Sequence, residues 1–176
     1  GATLGIIGLG EIGQAVARRA AGFGMQVLGW NRSAKEVEGI QSVSLDELLL
    51  RSDFVSVNVA LAEETRNLLD ATKIGMMKPG SVLVNTARGG IVDERALAEA
   101  LSRGHLYAAG IDVFSQEPVA QDNPLLALPN VVVVPHIGSA TTLTRARMAD
   151  LAVNNAMAAL RGQAMPHCVN PEVYTR

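Results

Sequence analysis

The chain has 176 residues and a formal net charge of −2, and it is 48% hydrophobic but only 3% aromatic. That length suits one ordinary domain with a core of Val, Ile, Leu, Ala and Met, and the missing basic excess excludes a nucleic-acid partner. No apolar run approaches the ~20 residues that cross a bilayer, and the single cysteine, Cys168, excludes an internal disulfide and fits a reducing, cytoplasmic setting.

Leu4–Ile7 reads as a buried strand leading into Gly8. Helical spacing follows, with Ile12, Val16, Ala20 and Phe23 expected on one inward face, Arg18 and Arg19 outward, and Gly24 as the stop. Gln26–Trp30 is the second expected strand. Ser44 and Glu47 make a capping-box pattern ahead of Leu48, Leu49 and Leu50. Phe54–Val59 is the third strand, Lys78-Pro79-Gly80 a turn, and Ser81–Val84 the fourth strand. Asp93 is placed to cap a helix through Leu97, Leu101 and Arg103 that Gly104 stops. Tyr107–Val113 and Asn130–Val134 are the fifth and sixth strands, the latter ended by Pro135. A long Ala- and Met-rich helix is expected over Ala140–Leu160, closed by Gly162. The strands are apolar along their length, as parallel strands covered on both faces should be. Met76 and Met77 read as core filler, and Trp30 as core or pocket wall. His105 is expected to act as a favourable charge at a helix end. His167 and Cys168 stand too isolated for a metal site, so no metal is expected.

Gly8-x-Gly10-x-x-Gly13 lies between a strand and a helix, the context in which such glycines cradle a dinucleotide. Gly8 makes the tight turn, Gly10 lets the backbone touch the pyrophosphate, and Gly13 lets helix and strand pack closely. Glu11 and Ile12 lie in the same loop, whose helix N-terminus attracts phosphate. The alternation of elements then gives the α/β class, with a Rossmann-type doubly wound sheet of six or seven mainly parallel strands and helices on both faces. Residues 1–162 are expected to form the dinucleotide-binding domain and 163–176 a C-terminal tail.

The position 18 residues beyond Gly13, where an acid would bind the ribose hydroxyls of NAD, is Asn31, followed by Arg32 and Ser33 with Lys35 close by. Loss of a negative charge and gain of a guanidinium favour a 2′-phosphate, by about 1.5–3 kcal/mol for a charge-assisted bond. NADPH/NADP is therefore expected over NADH/NAD. Further polar groups fall at the ends of strands, where ligands of such sheets gather. These are Arg88 after the fourth, Asp112 and Glu117 after the fifth, and His136 after the sixth. A guanidinium, a carboxylate and an imidazole around one nicotinamide can reduce a 2-oxo acid. Arg88 would clamp the carboxylate, His136 would donate the proton, and Glu117 would orient the imidazole.

The segments "GIIGLGEIG", "NTARGGIVDE", "GIDVFSQEP" and "PHIGSAT" resemble the D-isomer-specific 2-hydroxyacid dehydrogenase family over nearly the whole chain. The "NRS" signal and the tail are similar to glyoxylate and hydroxypyruvate reductases within it. The resemblance implies Arg88, Glu117 and His136 as catalytic residues and Asp112 as a contact of the nicotinamide amide. It also implies Thr86, Ala87, Gly138 and Ser139 along the nicotinamide, and Ala60 and Thr65 beside the adenosine half. It further implies a homodimer and a small 2-oxo acid substrate. Two departures stand out: Glu11 replaces an Arg that many members carry, and the family's separate substrate domain is not in this chain, which begins at Gly1 with a strand three residues on. The chain is thus expected to be a piece of a longer protein, binding cofactor without turnover. Alternatives are a phosphoglycerate dehydrogenase-like enzyme and a non-catalytic, dinucleotide-sensing corepressor-like module.

Overall fold

The computed structural model describes residues 1–175. Strand β1 (Thr3–Ile7) enters the glycine loop and α1 (Glu11–Ala21), and β2 (Gln26–Trp30) and the short β3 (Gln41–Ser42) follow. Next come α2 (Leu45–Arg51), β4 (Phe54–Val57), α3 (Ala71–Met76) and β5 (Val82–Asn85). Then α4 (Glu94–Ser102), β6 (Ala108–Ile111), β7 (Val131–Val133) and α5 (Thr142–Leu160) complete the regular elements. One seven-stranded sheet runs β3-β2-β1-β4-β5-β6-β7, every pairing parallel. The chain winds outward from β1 to β3 and then returns to lay β4 on the other side of β1. That reversal opens a crevice at the carboxyl ends of β1 and β4, the place where such sheets bind ligands.

Side chains alternate across the strands and so feed two cores. Leu4, Ile6 and Val27 pack with Ala17 and Ala20 of α1 on one face. Ile7, Leu28, Val55, Val57, Leu83 and Ile111 pack with Leu48 and Leu49 of α2, Ile74 of α3 and Leu97 and Leu101 of α4 on the other. Each fully buried Leu or Ile contributes about 1.5–3 kcal/mol. The expected caps form: Ser44 Oγ accepts from the Glu47 N–H at 3.2 Å, and Asp93 Oδ1 accepts from Arg95 and Ala96 at 3.0 Å each.

Several expectations need correction. The inward face of α1 is Gly13, Ala17 and Ala20, whereas Ile12 is 69% and Phe23 83% exposed. A Cβ on Gly13 would overlap the Gly8 carbonyl, so α1 lies close on β1; Val16 packs half-buried against that core, while Ile12 and Phe23 turn outward. The helix also ends at Ala21, with Gly24 (φ +65°) in the turn beyond it. β3 and α3 lacked a readable pattern, being two and six residues long. Of the methionine pair, Met77 is buried and Met76 only half-buried. β7 forms an edge, and Val132 is exposed there. His105 has Nε2 buried without a partner, and it is the backbone N–H that closes α4, on the Ala100 carbonyl.

The chain divides into two compact units, Gly1–His136 and the residues from Ile137 on. In the second, the Thr141 hydroxyl caps α5 by accepting from Thr144 at 3.1 Å, and no residue of α5 is buried. The Asn155 side chain exchanges two hydrogen bonds with the His167 backbone, at 3.0 and 3.2 Å, which ties the following segment to the helix. Among the described residues no helix is long and apolar enough to cross a membrane.

Candidate active site and cofactor cleft

Gly8 has φ +101°, and a Cβ there would sit 2.7 Å from the backbone of Asn58 and Val59. A Cβ on Gly13 would overlap the Gly8 carbonyl oxygen. Gly10 differs from both. Its backbone is ordinary and extended (φ −71°, ψ −171°), and a Cβ would meet nothing within 4 Å. The fold places no steric demand on that glycine; its missing side chain leaves open the approach to the first-turn N–H groups of α1, which no side chain caps. A phosphate fits such an opening. Beside it a cavity of about 450 Å³ is lined by Ile12, Asn58, Val59, Ala60, Leu61, Thr86, Ala87 and Arg88. The exposed Ile12 is thus cleft wall. Glu11 is exposed in the first turn, where its charge suits the helix dipole.

Asn31 turns its side chain inward. Its Oδ1 accepts from the Leu9 N–H at 3.1 Å, and its Nδ2 donates to the Ser33 carbonyl at 3.0 Å. The amide therefore braces the glycine loop. Arg32 is exposed and pairs with Glu64 at 3.3 Å. Thr65 is buried; its hydroxyl donates to the Ala60 carbonyl at 2.7 Å and accepts from the Ala62 N–H at 2.8 Å, which fixes the loop that follows β4.

Asn85, the buried last residue of β5, shapes the next turn. Its Oδ1 accepts from the Ala87 N–H and its Nδ2 donates to the Arg88 carbonyl, both at 3.1 Å. Thr86 and Arg88 are left exposed, with Ala87 half-buried. Gly89 packs so tightly that a Cβ would strike the Phe114 backbone, which joins the Arg88 loop to the loop after β6. That second loop is anchored by Glu94, which accepts from the Ser115 N–H and from Asn123 Nδ2, each at 2.6 Å. Neither Asn85 nor Glu94 was singled out by sequence. The signal for each was slight: a polar residue closing an apolar strand, and an acid in a helix's first turn.

Glu117 and His136 meet. His136 Nδ1 lies 2.9 Å from Glu117 Oε2, and Glu117 Oε1 accepts from the Phe114 N–H at 3.1 Å. The His136 hydrogen bond, then that of Phe114, hold the Glu117 carboxyl below the usual glutamate range, with a smaller pull from the charge of Arg88. His136 is itself strained. Its φ of +54° is unusual for a residue with a side chain, and its N–H is held by the carbonyls of Asp112 and Val134. Asp112 is 4% exposed at the end of β6. A second cavity, of about 420 Å³, abuts the pair and is mainly apolar, with Phe114, Val119, Leu126 and Val133 in its wall. Gly138 and Ser139 lie two and three residues beyond His136 and belong to the second unit. Among the described residues no cluster of His, Cys, Asp or Glu could hold a metal ion.

The sequence profile of the D-isomer specific 2-hydroxyacid dehydrogenase NAD binding domain matches residues 1–138. The chain belongs to this family. A glyoxylate/hydroxypyruvate reductase B from Pectobacterium atrosepticum is 50% identical, over 97% of this chain and 55% of the relative. The crystal structure of a protein from Thermus thermophilus matches with a TM-score of 0.91 at 50% identity, over 96% of this chain and 54% of that one. That of an NADPH-dependent glyoxylate/hydroxypyruvate reductase from Sinorhizobium meliloti, in complex with citrate, matches with a TM-score of 0.83 at 38% identity, over 90% and 50%. The chain spans about half the length of the relatives it matches. The 2-hydroxyacid dehydrogenase domain seen here is thus a Rossmann-type, NAD(P)-binding one, and the open Gly10 approach fits the dinucleotide that the family binds.

Proposed function

We propose that this chain is the cofactor-binding half of an NADPH-preferring reductase of small 2-oxo acids, with glyoxylate and hydroxypyruvate as substrates. The observation that carries the reading is the Glu117–His136 pair at 2.9 Å, at the carboxyl ends of strands that share a sheet with the glycine loop. The bound nicotinamide supplies the hydride. Arg88 holds the substrate carboxylate and polarises the carbonyl through its N–H donors. His136, with Nδ1 engaged by Glu117, donates a proton from Nε2 to the alkoxide oxygen as it forms. Glu117 fixes the imidazole's orientation and favours its charged form.

Support for NADPH comes from Arg32 beyond β2, where a carboxylate would oppose a 2′-phosphate, and from the NADPH-dependent Sinorhizobium relative. Asp112, Thr86, Ala87, Gly138 and Ser139 complete the nicotinamide side in this reading, with Ala60 beside the adenosine. The exposed Leu143, Met148, Leu151 and Met157 of α5 offer apolar surface to a second subunit, as in a cytoplasmic homodimer. The test is steady-state turnover of the full-length protein with glyoxylate, hydroxypyruvate and phosphohydroxypyruvate, each with NADPH and NADH. Turnover of the first two with NADPH is expected. Preference for the phosphorylated substrate, or equal use of both cofactors, would overturn the corresponding half of the reading.

A further inference from the structure

Arg32 lies two residues past β2 and Glu64 lies in the 3-10 turn Glu63–Thr65 after β4, and β1 runs between those two strands. Their 3.3 Å ion pair therefore bridges the carboxyl end of β1, where the glycine loop begins and the crevice opens. Both side chains are about two-thirds exposed (66% and 65%), so packing does not hold the pair and the guanidinium is able to turn. The Asn31 amide is spent on Leu9 and Ser33, and Glu63 faces Arg66 at 4.0 Å.

We propose that Glu64 sets how strongly the cleft discriminates between phosphorylated and unphosphorylated adenosine ribose, an inference that rests on the cofactor reading above. A 2′-phosphate that binds Arg32 competes with the Glu64 carboxylate for the guanidinium, whose Nη1 that carboxylate already engages, and it then sits close to that carboxylate. The two negative charges repel in a site open to solvent, where such a repulsion is modest but real. A ribose with only hydroxyls brings no charge and meets no such opposition. Glu64 thus holds Arg32 across the carboxyl end of β1 and tempers the preference that Arg32 creates.

The test is titration of NADPH and of NADH into the full-length protein, comparing wild type, Glu64→Gln, Arg32→Ala and the double variant. Glu64→Gln is expected to tighten NADPH about three- to tenfold and to leave NADH within about twofold. The gain should shrink in high salt and in the Arg32→Ala background. If Arg32→Ala removes the preference but Glu64→Gln leaves NADPH unchanged, weakens it, or tightens both cofactors alike, the role of Glu64 falls and the cofactor reading stands. If Arg32→Ala leaves the ratio of affinities unchanged, both fall.

Discussion

Gly10 and Gly13 stand three residues apart and answer to different constraints. Gly13 is fixed by packing, because a Cβ there overlaps the Gly8 carbonyl, whereas Gly10 has ordinary dihedrals and empty space around it. Gly13→Ala should therefore destabilise the fold by about 1–3 kcal/mol, while Gly10→Ala should stay within about 0.5 kcal/mol of wild type. In dinucleotide titrations, however, Gly10→Ala should lose about tenfold or more in affinity, because the methyl group fills the approach to the helix N-terminus. Chemical denaturation and titration of both variants check the split. The acid–base pair yields a second expectation. Replacing His136 with Ala should lower kcat of the full-length protein by about 10²–10⁴-fold. Glu117→Gln keeps the shape but removes the charged partner that orients the imidazole, so it should lower kcat of the full-length protein. An unchanged kcat would remove Glu117 from the proton-donor unit. From sequence, Glu117 is expected to orient His136 because both follow strand ends; the two are 19 residues apart, and the loops after β6 and β7 bring them within 2.9 Å.

Among the elements, α4 was the most legible and α1 the most misleading. Asp93 announces α4 from sequence, and its carboxylate does accept from two first-turn N–H groups. Asp93→Ala should cost about 0.5–2 kcal/mol, measured by urea unfolding, with further loss if α4 shifts and Glu94 releases Ser115 and Asn123. α1 shows what a helical wheel omits. Periodicity finds an apolar stripe, but the depth at which a helix meets a sheet depends on the smallest residues at the contact. Gly13, Ala17 and Ala20 bring the backbone in close, so Ile12 is turned out to line the cleft. β3 and α3 escaped the sequence reading because a two-residue strand and a six-residue helix carry too few positions to show a period.

For the whole molecule, acid should weaken the fold at two separate places. Lys78, at 2.5 Å, and then the Thr3 N–H hold the Asp53 carboxyl below its usual range, as His136 and Phe114 do for Glu117. A carboxylate depressed in the folded state adds stability above its unfolded pKa, and that stability is lost as pH falls through the folded value. Melting temperature should thus drop below about pH 4, and an Asp53→Asn/Glu117→Gln variant should be less stable at pH 7 and show a shallower acid decline. An equally steep decline would show that other carboxylates dominate. Sedimentation of the full-length protein should give a dimer, and Leu151→Glu with Met157→Glu on α5 should weaken it by placing charges on an exposed apolar surface.

The sequence alone determined the order of strands and helices, the turn at Gly8, the caps at Ser44 and Asp93, and the family, because each depends on neighbours within a few positions or on motifs read in line. Only the tertiary structure decided that Asn31 braces the loop, that Arg32 reaches Glu64 across β1, and that Asn85 and Glu94 shape the loops bearing Arg88 and Glu117. Those pairings depend on which strands become neighbours and how the loops between them fold, and a period of 2 or 3.6 residues carries no record of either.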